Sequence, residues 1–292
     1  MERERLTITL RKDLLTEVDR TIDGQRIRNR SHAIEFLLAH SLTPQVSRAI
    51  VLAGGAGVKM RPLTLELPKA MIPVRGRPIL EHTLDTLRRA DIRNVTVLVG
   101  ALGDKIRNHF GDGSAFGMKI EYVQEGKRSG TAGGLRKAAS KSSGEPSFRR
   151  ASPDGGPLLL IYGDVLADID LKDMIEYHKD CGAKATLAVT SVDKATDWGI
   201  VRLHGTRIVS FEEKPKNHVG QSHLVNAGVA VIEPKLLDAM PNAGFSMLER
   251  DVFPKLARAG QLAGYLFEGQ WFDIATPEIY EEALKNWQPV KA

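Results

Sequence analysis

Gly54, Gly55 and Gly57 follow the apolar run Ile50-Val51-Leu52-Ala53. Without side chains there, backbone N–H groups can approach phosphate oxygens. A glycine turn after a strand is common, and this one matches neither the Walker P-loop nor the dinucleotide fingerprint. The residues after the turn narrow the chemistry. Lys59, Arg61 and Lys69 fall within one short stretch, interleaved with Pro62, Pro68 and Pro73. Several cations beside a glycine loop suit a triphosphate, because a lysine acts as a point charge on phosphate oxygens and on charge developing at phosphorus.

Two aspartates complement those cations. Asp164 follows the apolar run 158–162 through Gly163, which puts a carboxylate at the ligand edge of a sheet. Asp273 closes the aromatic segment Trp271-Phe272, far away in the chain. Two carboxylates with phosphate oxygens and water suit Mg²⁺, which takes octahedral oxygen ligation. The alternative for either aspartate is a strand-end cap or turn residue. Taken alone, Lys214 is a surface lysine in a turn before Pro215, Glu249 is one half of a helix-surface pair with Arg250, and Trp198 and Trp271 are packing residues.

The elements that must hold these groups alternate between strand and helix. Residues 48–52, 95–99, 158–162, 185–190 and 228–232 are buried-strand patterns. Residues 79–90 form a helix, with Pro78 near its first turn and Leu80, Leu84 and Leu87 on one face. This order predicts an α/β fold with a doubly wound, mostly parallel sheet, whose ligands sit outside the carboxyl ends of the strands. Residues 140–156 are rich in serine, glycine and proline, contain Arg149-Arg150, and have no periodicity, so a flexible surface insertion is expected.

The chain changes character near Thr43-Pro44, giving a small module at 1–46 and a main domain at 47–292. Leu6, Ile8 and Leu10 alternate with Thr7, Thr9 and Arg11 as a period-2 strand with one polar, basic face. Leu14, Leu15, Val18 and Ile22 have helical spacing, with Gly24 placed to end the helix. Ser31 is the expected N-cap of a second helix with Ile34, Leu37 and Leu38 on its buried stripe. A strand and two short helices cannot bury a stable core alone, so dimerisation through paired strands is expected, making the whole a homodimer or higher homo-oligomer.

Bulk properties bound the remaining classes. The chain has 292 residues, 42% hydrophobic and 26% charged, in the ordinary range for a globular protein. No apolar run approaches the roughly 18 residues of a membrane helix, so no membrane partner is expected. The N-terminus is charged and lacks a signal core, and the single cysteine, Cys181, precludes an intrachain disulfide, which together predict a cytoplasmic protein. The net charge of +5 is spread over both parts and does not by itself indicate nucleic acid.

Residues 3–43 resemble the ribbon-helix-helix family of DNA-binding proteins, on Leu6-Thr7-Ile8-Thr9-Leu10 and Asn29-Arg30-Ser31-His32-Ala33-Ile34. The resemblance implies a two-stranded ribbon in the major groove of duplex DNA, with Thr7, Thr9 and Arg11 facing base edges. Backbone N–H groups near Ser31 would anchor a phosphate, and Arg26, Arg28 and Arg30 would add to phosphate affinity. The alternative is a module that only dimerises, its arginines on a solvated face.

Residues 48–285 resemble the sugar-1-phosphate nucleotidyltransferases, also called sugar-nucleotide pyrophosphorylases. The likeness is carried by residues 52–80 and by Gly130-Thr131-Ala132, Gly163-Asp164, Glu213-Lys214-Pro215, Asn226-Ala227-Gly228 and Trp271-Phe272-Asp273-Ile274. It implies a Rossmann-like nucleotidyltransferase fold that turns an NTP and a sugar-1-phosphate into an NDP-sugar and pyrophosphate. Leu52, Ala53, Gly54, Gly55, Gly57, Glu125, Gly130 and Thr131 would line the nucleotide. Lys59 falls where the family has a loop arginine, and with Lys69, Asp164 and Lys214 would serve catalysis. Gly199, Glu213, Lys214, Asn226 and Glu249 would hold the sugar phosphate, and Asp164 and Asp273 the magnesium. Val58, Lys59 and Ala275 depart from the family's usual residues, which keeps open a second function: a DNA-binding regulator whose transferase-like domain senses a sugar nucleotide with little turnover. Neither the nucleobase (dTTP, UTP or GTP) nor the sugar is specified by these motifs.

For the N-terminal module, the full chain is expected to bind duplex DNA in a salt-dependent way. Arg11→Ala should weaken binding by about 1–3 kcal/mol, the usual worth of a good base contact, in a fluorescence-anisotropy titration. No affinity for any duplex at low salt would leave a dimerisation module.

Overall fold

The computed structural model describes residues 7–24, 27–42, 46–126, 129–141, 156–216, 222–238, 240 and 244–288. It divides into two units, Met1–Pro44 and Gln45–Ala292.

The first unit is a helix pair, α1 (Lys12–Arg20) and α2 (Arg30–Leu42). Asn29, rather than the expected Ser31, caps α2: its Oδ1 accepts the His32 N–H at 2.9 Å. An N-cap carboxamide outcompetes a serine already inside the first turn. Helix α1 stops at Arg20, before Gly24, where the Thr21 hydroxyl donates to the Val18 carbonyl at 2.8 Å. Arg30 is not free for phosphate, because it forks onto Asp19 at 2.7 and 2.8 Å and ties the start of α2 to the end of α1. Val18, Ile27 and Ala33 form the core, with Ile22 and Ile34 against it. Leu37 and Leu38, expected on the buried stripe, are 37% and 50% exposed, because two short helices cover one small core only. Among the described residues, 7–11 pair with no strand of the single chain. Leu6 and Arg26 lie outside the described residues.

The second unit begins β1 (Arg48–Ala53), α3 (Leu63–Glu66), β2 (Pro73–Val74), β3 (Arg77–Pro78), α4 (Ile79–Arg89), β4 (Asn94–Val99), α5 (Gly103–Phe110), β5 (Lys119–Gln124) and α6 (Gly130–Lys141). It continues β6 (Leu158–Tyr162), β7 (Val165–Ala167), α7 (Leu171–Cys181), β8 (Ala185–Ser191), β9 (Gly199–His204), β10 (Arg207–Glu213) and β11 (Leu224–Ile232). It ends with α8 (Pro234–Asp238), α9 (Phe253–Arg258), β12 (Leu262–Leu266), β13 (Trp271–Asp273) and α10 (Pro277–Asn286). Of the expected insertion at 140–156, residues 142–155 lie outside the described residues.

One nine-stranded sheet has the order β5-β4-β1-β6-β11-β8-β12-β10-β9. Around β1 it is parallel, through β4, β5 and β6. Beyond β6 it is mixed: β11 is antiparallel to β6 and β8, and β10 is antiparallel to β9 and β12. The expectation of a mostly parallel sheet therefore holds for one half only. The reason is local: β9 and β10 join as a hairpin across Gly205-Thr206, which needs no crossover helix.

Strand β1 is buried on both faces, as a parallel strand covered by helices must be. Ala49 and Val51 pack with Leu80, Leu84 and Leu87 of α4, while Ile50 on the other face packs with Leu135 of α6 and Phe253 of α9. Among the described residues no helix is long and apolar enough to cross a membrane. Leu87 has no exposed surface. Leu87→Ala should cost about 2–5 kcal/mol, the range for a truncated core leucine, read as a lowered midpoint in urea denaturation.

Candidate active site

Strands β1, β4 and β6 are parallel neighbours, so their carboxyl ends share one edge. Chain order reverses there, with β4 on one side of β1 and β6 on the other, the place where open α/β sheets bind ligands. The glycine loop leaves β1 at that point. Gly57 has φ +59°, and a Cβ on it would lie 2.7 Å from Thr64 Cγ2 and 3.0 Å from Lys69 Cγ. Thr64 Oγ1 donates to the Gly57 carbonyl at 2.6 Å, closing the loop. A Cβ on Gly54 would run into the Glu125 carboxylate. That carboxylate accepts Ser129 N–H at 3.2 Å and its hydroxyl at 3.0 Å, joining the loop to the start of α6.

A cleft of about 1040 Å³ is lined by Leu52, Gly54, Gly55, Gly57, Glu125, Gly130 and Thr131, with Asp164 and Phe245 at its rim. Ala53 lines an adjoining pocket with Gly54 and Glu125. These expected nucleotide residues thus converge. A second cleft of about 1400 Å³ contains Lys59, Lys214 and Asp273.

The two aspartates meet through a two-stranded ribbon. Strand β13 pairs antiparallel with β7, setting Asp273 opposite Val165, and Ile274 N–H donates to the Asp164 carbonyl at 2.9 Å. Gly163 permits this by lying against the end of β1, where a Cβ would be 3.0 Å from the Leu52 carbonyl. Asp164 lies in the turn between β6 and β7 and forms an ion pair with Lys69. Burial opposes the charge on Lys69, yet the Asp164 carboxylate outweighs it and holds the ammonium above its ordinary pKa, with Asp273 adding. Asp273 is raised in turn, first by burial and then by the negative charge of Asp164. The result is two nearby acids sharing one cation, an arrangement that attracts further positive charge.

A second acidic pair lies beside it. Glu249 is 5% exposed on a π-helical turn, Leu248–Val252. It is not the surface partner of Arg250. Its carboxylate accepts the Tyr162 hydroxyl and, at 2.6 Å, the Thr131 hydroxyl. Glu213 is held above the ordinary carboxylate pKa by burial and then by Glu249, with Lys214 and Arg250 opposing. Gly199 is the β-partner of Glu213, and a Cβ there would meet the Phe211 ring at 2.6 Å and Glu213 Oε2 at 3.0 Å. Asn226 sits at a register shift in β11, where its Oδ1 accepts Gly228 N–H at 3.2 Å. Lys214 is exposed, 3.9 Å from Glu213. Lys59 is also exposed and outside the buried cluster.

Two residues were missed by sequence reasoning. Tyr162 ends the expected strand 158–162, and its terminal position next to Gly163-Asp164 was the available signal. Trp198, expected to be packing only, donates from Nε1 to Asp273 Oδ2 at 2.9 Å, and no spacing rule pairs residues so far apart.

The fold defines an α/β protein of the Rossmann-like class. The chain belongs to the nucleotidyl transferase family, whose model matches residues 48–288. It is 32% identical over 257 residues to mannose-1-phosphate guanylyltransferase 1 of Arabidopsis thaliana, covering 84% of this chain and 67% of that protein. It is 34% identical over 235 residues to mannose-1-phosphate guanylyltransferase of Mycobacterium tuberculosis, covering 80% and 62%. It is 32% identical over 253 residues to UTP–glucose-1-phosphate uridylyltransferase of Synechocystis sp., covering 82% and 63%. The chain therefore spans about two thirds of the length of the curated relatives it matches. A UDP-glucose pyrophosphorylase complexed with UDP-glucose shares the fold with TM-score 0.69 at 18% identity, over 82% of this chain and 98% of that one. HddC from Yersinia pseudotuberculosis shares it with TM-score 0.67 at 21% identity, over 82% and 99%.

Thr131 Oγ1 donates to Glu249 and also accepts Leu248 N–H at 2.8 Å. Thr131→Val should therefore cost about 1–3 kcal/mol, the penalty for buried groups left unpaired, measured by chemical denaturation.

Proposed function

We propose that this chain transfers a nucleotidyl group from an NTP to a sugar-1-phosphate, releasing pyrophosphate. The observation that carries this is the Lys69–Asp164–Asp273 charge cluster between two clefts: Asp164 lines the glycine-loop cleft and Asp273 the cleft holding Lys59 and Lys214. In this reading the backbone of the glycine loop binds the phosphates of the NTP, and Glu125, Gly130 and Thr131 line its base. Glu213, Asn226, Glu249 and Gly199 hold sugar hydroxyls, while Lys214 holds the sugar phosphate. A phosphate oxygen of the sugar-1-phosphate attacks the α-phosphorus, and the bond to pyrophosphate breaks in line, without a covalent enzyme intermediate. Lys69 and Lys59 offset negative charge on the phosphates.

The donor set fits Mg²⁺: both aspartates offer hard oxygen ligands, and burial and the Asp164 charge raise the pKa of Asp273 even though Lys69 and Lys214 oppose them. Asp164 and Asp273 would hold it, and bound Mg²⁺ would neutralise phosphate charge and orient the reacting oxygens. The first unit is proposed to dimerise the chain, since Leu14, Leu37 and Leu38 remain uncovered on its helices. Duplex DNA remains its expected partner through Thr7, Thr9 and Arg11.

The test is a matrix of the common NTPs against hexose-1-phosphates with Mg²⁺, read by pyrophosphate release. The names of two relatives make GTP with mannose-1-phosphate the first pair to try. One productive pair is expected; no release from any pair would sink the enzyme reading. Asp164→Asn should lower kcat on the order of 10²-fold, the usual cost of losing one electrostatic stabiliser of a transition state, and near-normal rates would remove Asp164 from the metal site.

A further inference from the structure

Trp198 stands between two groups that the proposed chemistry must bring together. Its indole Nε1–H donates to Asp273 Oδ2 at 2.9 Å. Its carbonyl accepts the Lys214 N–H at 3.1 Å. Lys214 follows the last residue of β10 and has φ 45°, a left-handed conformation that a lysine adopts only when its surroundings impose it. The bond to Trp198 is one such constraint.

The indole itself has little freedom. Its ring meets that of Trp271 edge-on, with centroids 5.4 Å apart and planes at 66°. Trp271 is anchored in turn, its Nε1–H donating to the Ala227 carbonyl at 3.0 Å. Ala195, Ile200 and Val225 form the small buried cluster that both rings cover. An indole N–H can only donate, so Asp273 must turn an acceptor oxygen toward it. It occupies one oxygen of Asp273 and fixes the plane of the carboxyl group. The remaining oxygen is left for another partner, among Asp164, Lys69 and Lys214, the charges that act on Asp273.

We propose that Trp198 is a positioning residue. Its N–H presents the second oxygen of Asp273 to the cation site, and its carbonyl holds Lys214 in the same rigid frame. This rests on the reading of Asp164 and Asp273 as that site. Groups that hydrogen-bond to a metal ligand typically alter metal affinity by roughly 10–100-fold.

Mn²⁺ binding to the full chain tests it, followed by the electron paramagnetic resonance signal of free Mn²⁺, with α,β-methylene analogues of the common NTPs present. Trp198→Phe keeps a ring against Trp271 but lacks the donor, and should weaken Mn²⁺ about tenfold. In an Asp273→Asn background it should cause no further loss, because the two changes remove one interaction. Trp271→Phe perturbs the ring contact and leaves the Trp198–Asp273 bond, so it should weaken Mn²⁺ less. Wild-type affinity in Trp198→Phe overturns the proposal. So does additivity with Asp273→Asn, or equal losses in the two Phe variants, since the indole would then act by packing alone. If Trp198→Phe does not fold, benzothienylalanine at 198, which keeps the bicyclic shape without the N–H, replaces it with the same expected loss. Failure of the wild-type chain to bind Mn²⁺ would instead remove the cation site itself, and this proposal with it.

Discussion

The second unit depends on balancing charge at one half-buried point. Asp164, Asp273 and Lys69 carry more negative than positive charge in surroundings that solvate it poorly. The backbone brings all three together. Gly163 lets Asp164 lie across the end of β1, the β7–β13 ribbon sets Asp273 beside it, and Lys69 follows Pro68 at the start of a tight turn. Gly57 belongs to the same constraint, because a side chain there would displace both Thr64 and the Lys69 stem. The loop is therefore glycine-rich for two separate reasons: to admit a ligand's phosphates and to make room for the lysine that steadies the carboxylates.

The neighbouring acids obey the same electrostatics with a different remedy. Glu249 raises the pKa of Glu213, and among the described residues no lysine is buried between them. Instead the Glu249 charge is spread over the hydroxyls of Tyr162 and Thr131. Charge-assisted hydrogen bonds of this type are short and strong when dry. The phenol loses nothing by donating: burial and the Glu249 charge hold its pKa well above the usual value, so it stays protonated. Neutral hydroxyl donors thus do for Glu249 what the Lys69 ammonium does for Asp164.

Much of this was legible in the sequence where chemistry and local pattern coincide. The run 158–162 followed by Gly163-Asp164 identified both a strand and its terminal carboxylate, because a buried strand and a glycine step are local signals. In the mixed half, β8 and β11 were legible as apolar runs, but β9, β10 and β12 were not, and which strand each joins is set by packing partners distant in sequence. The helix stripe in the first unit was read with the right residues but the wrong burial, since periodicity identifies an apolar face without saying what covers it. Glu249 carried two readings, a sugar-contacting acid and a surface pair with Arg250, and its burial removes the second; burial of a lone carboxylate leaves no local signal in a sequence.

Lys59 shows why position outweighs residue type at this site. A lysine at this position offers a point charge where an arginine would offer a forked donor. That difference would matter most if the residue belonged to the buried cluster, where geometry is fixed and a missing donor cannot be replaced by water. It does not belong there: Lys59 is exposed, in the cleft with Lys214 and Asp273. The pairing of Lys69 with Asp164, and of Trp198 with Asp273, proceeds without it. At an exposed position solvent screens the difference between a fork and a point, and a long flexible stem can follow a phosphate that moves. The buried charge balance of Lys69, Asp164 and Asp273 is therefore built without Lys59.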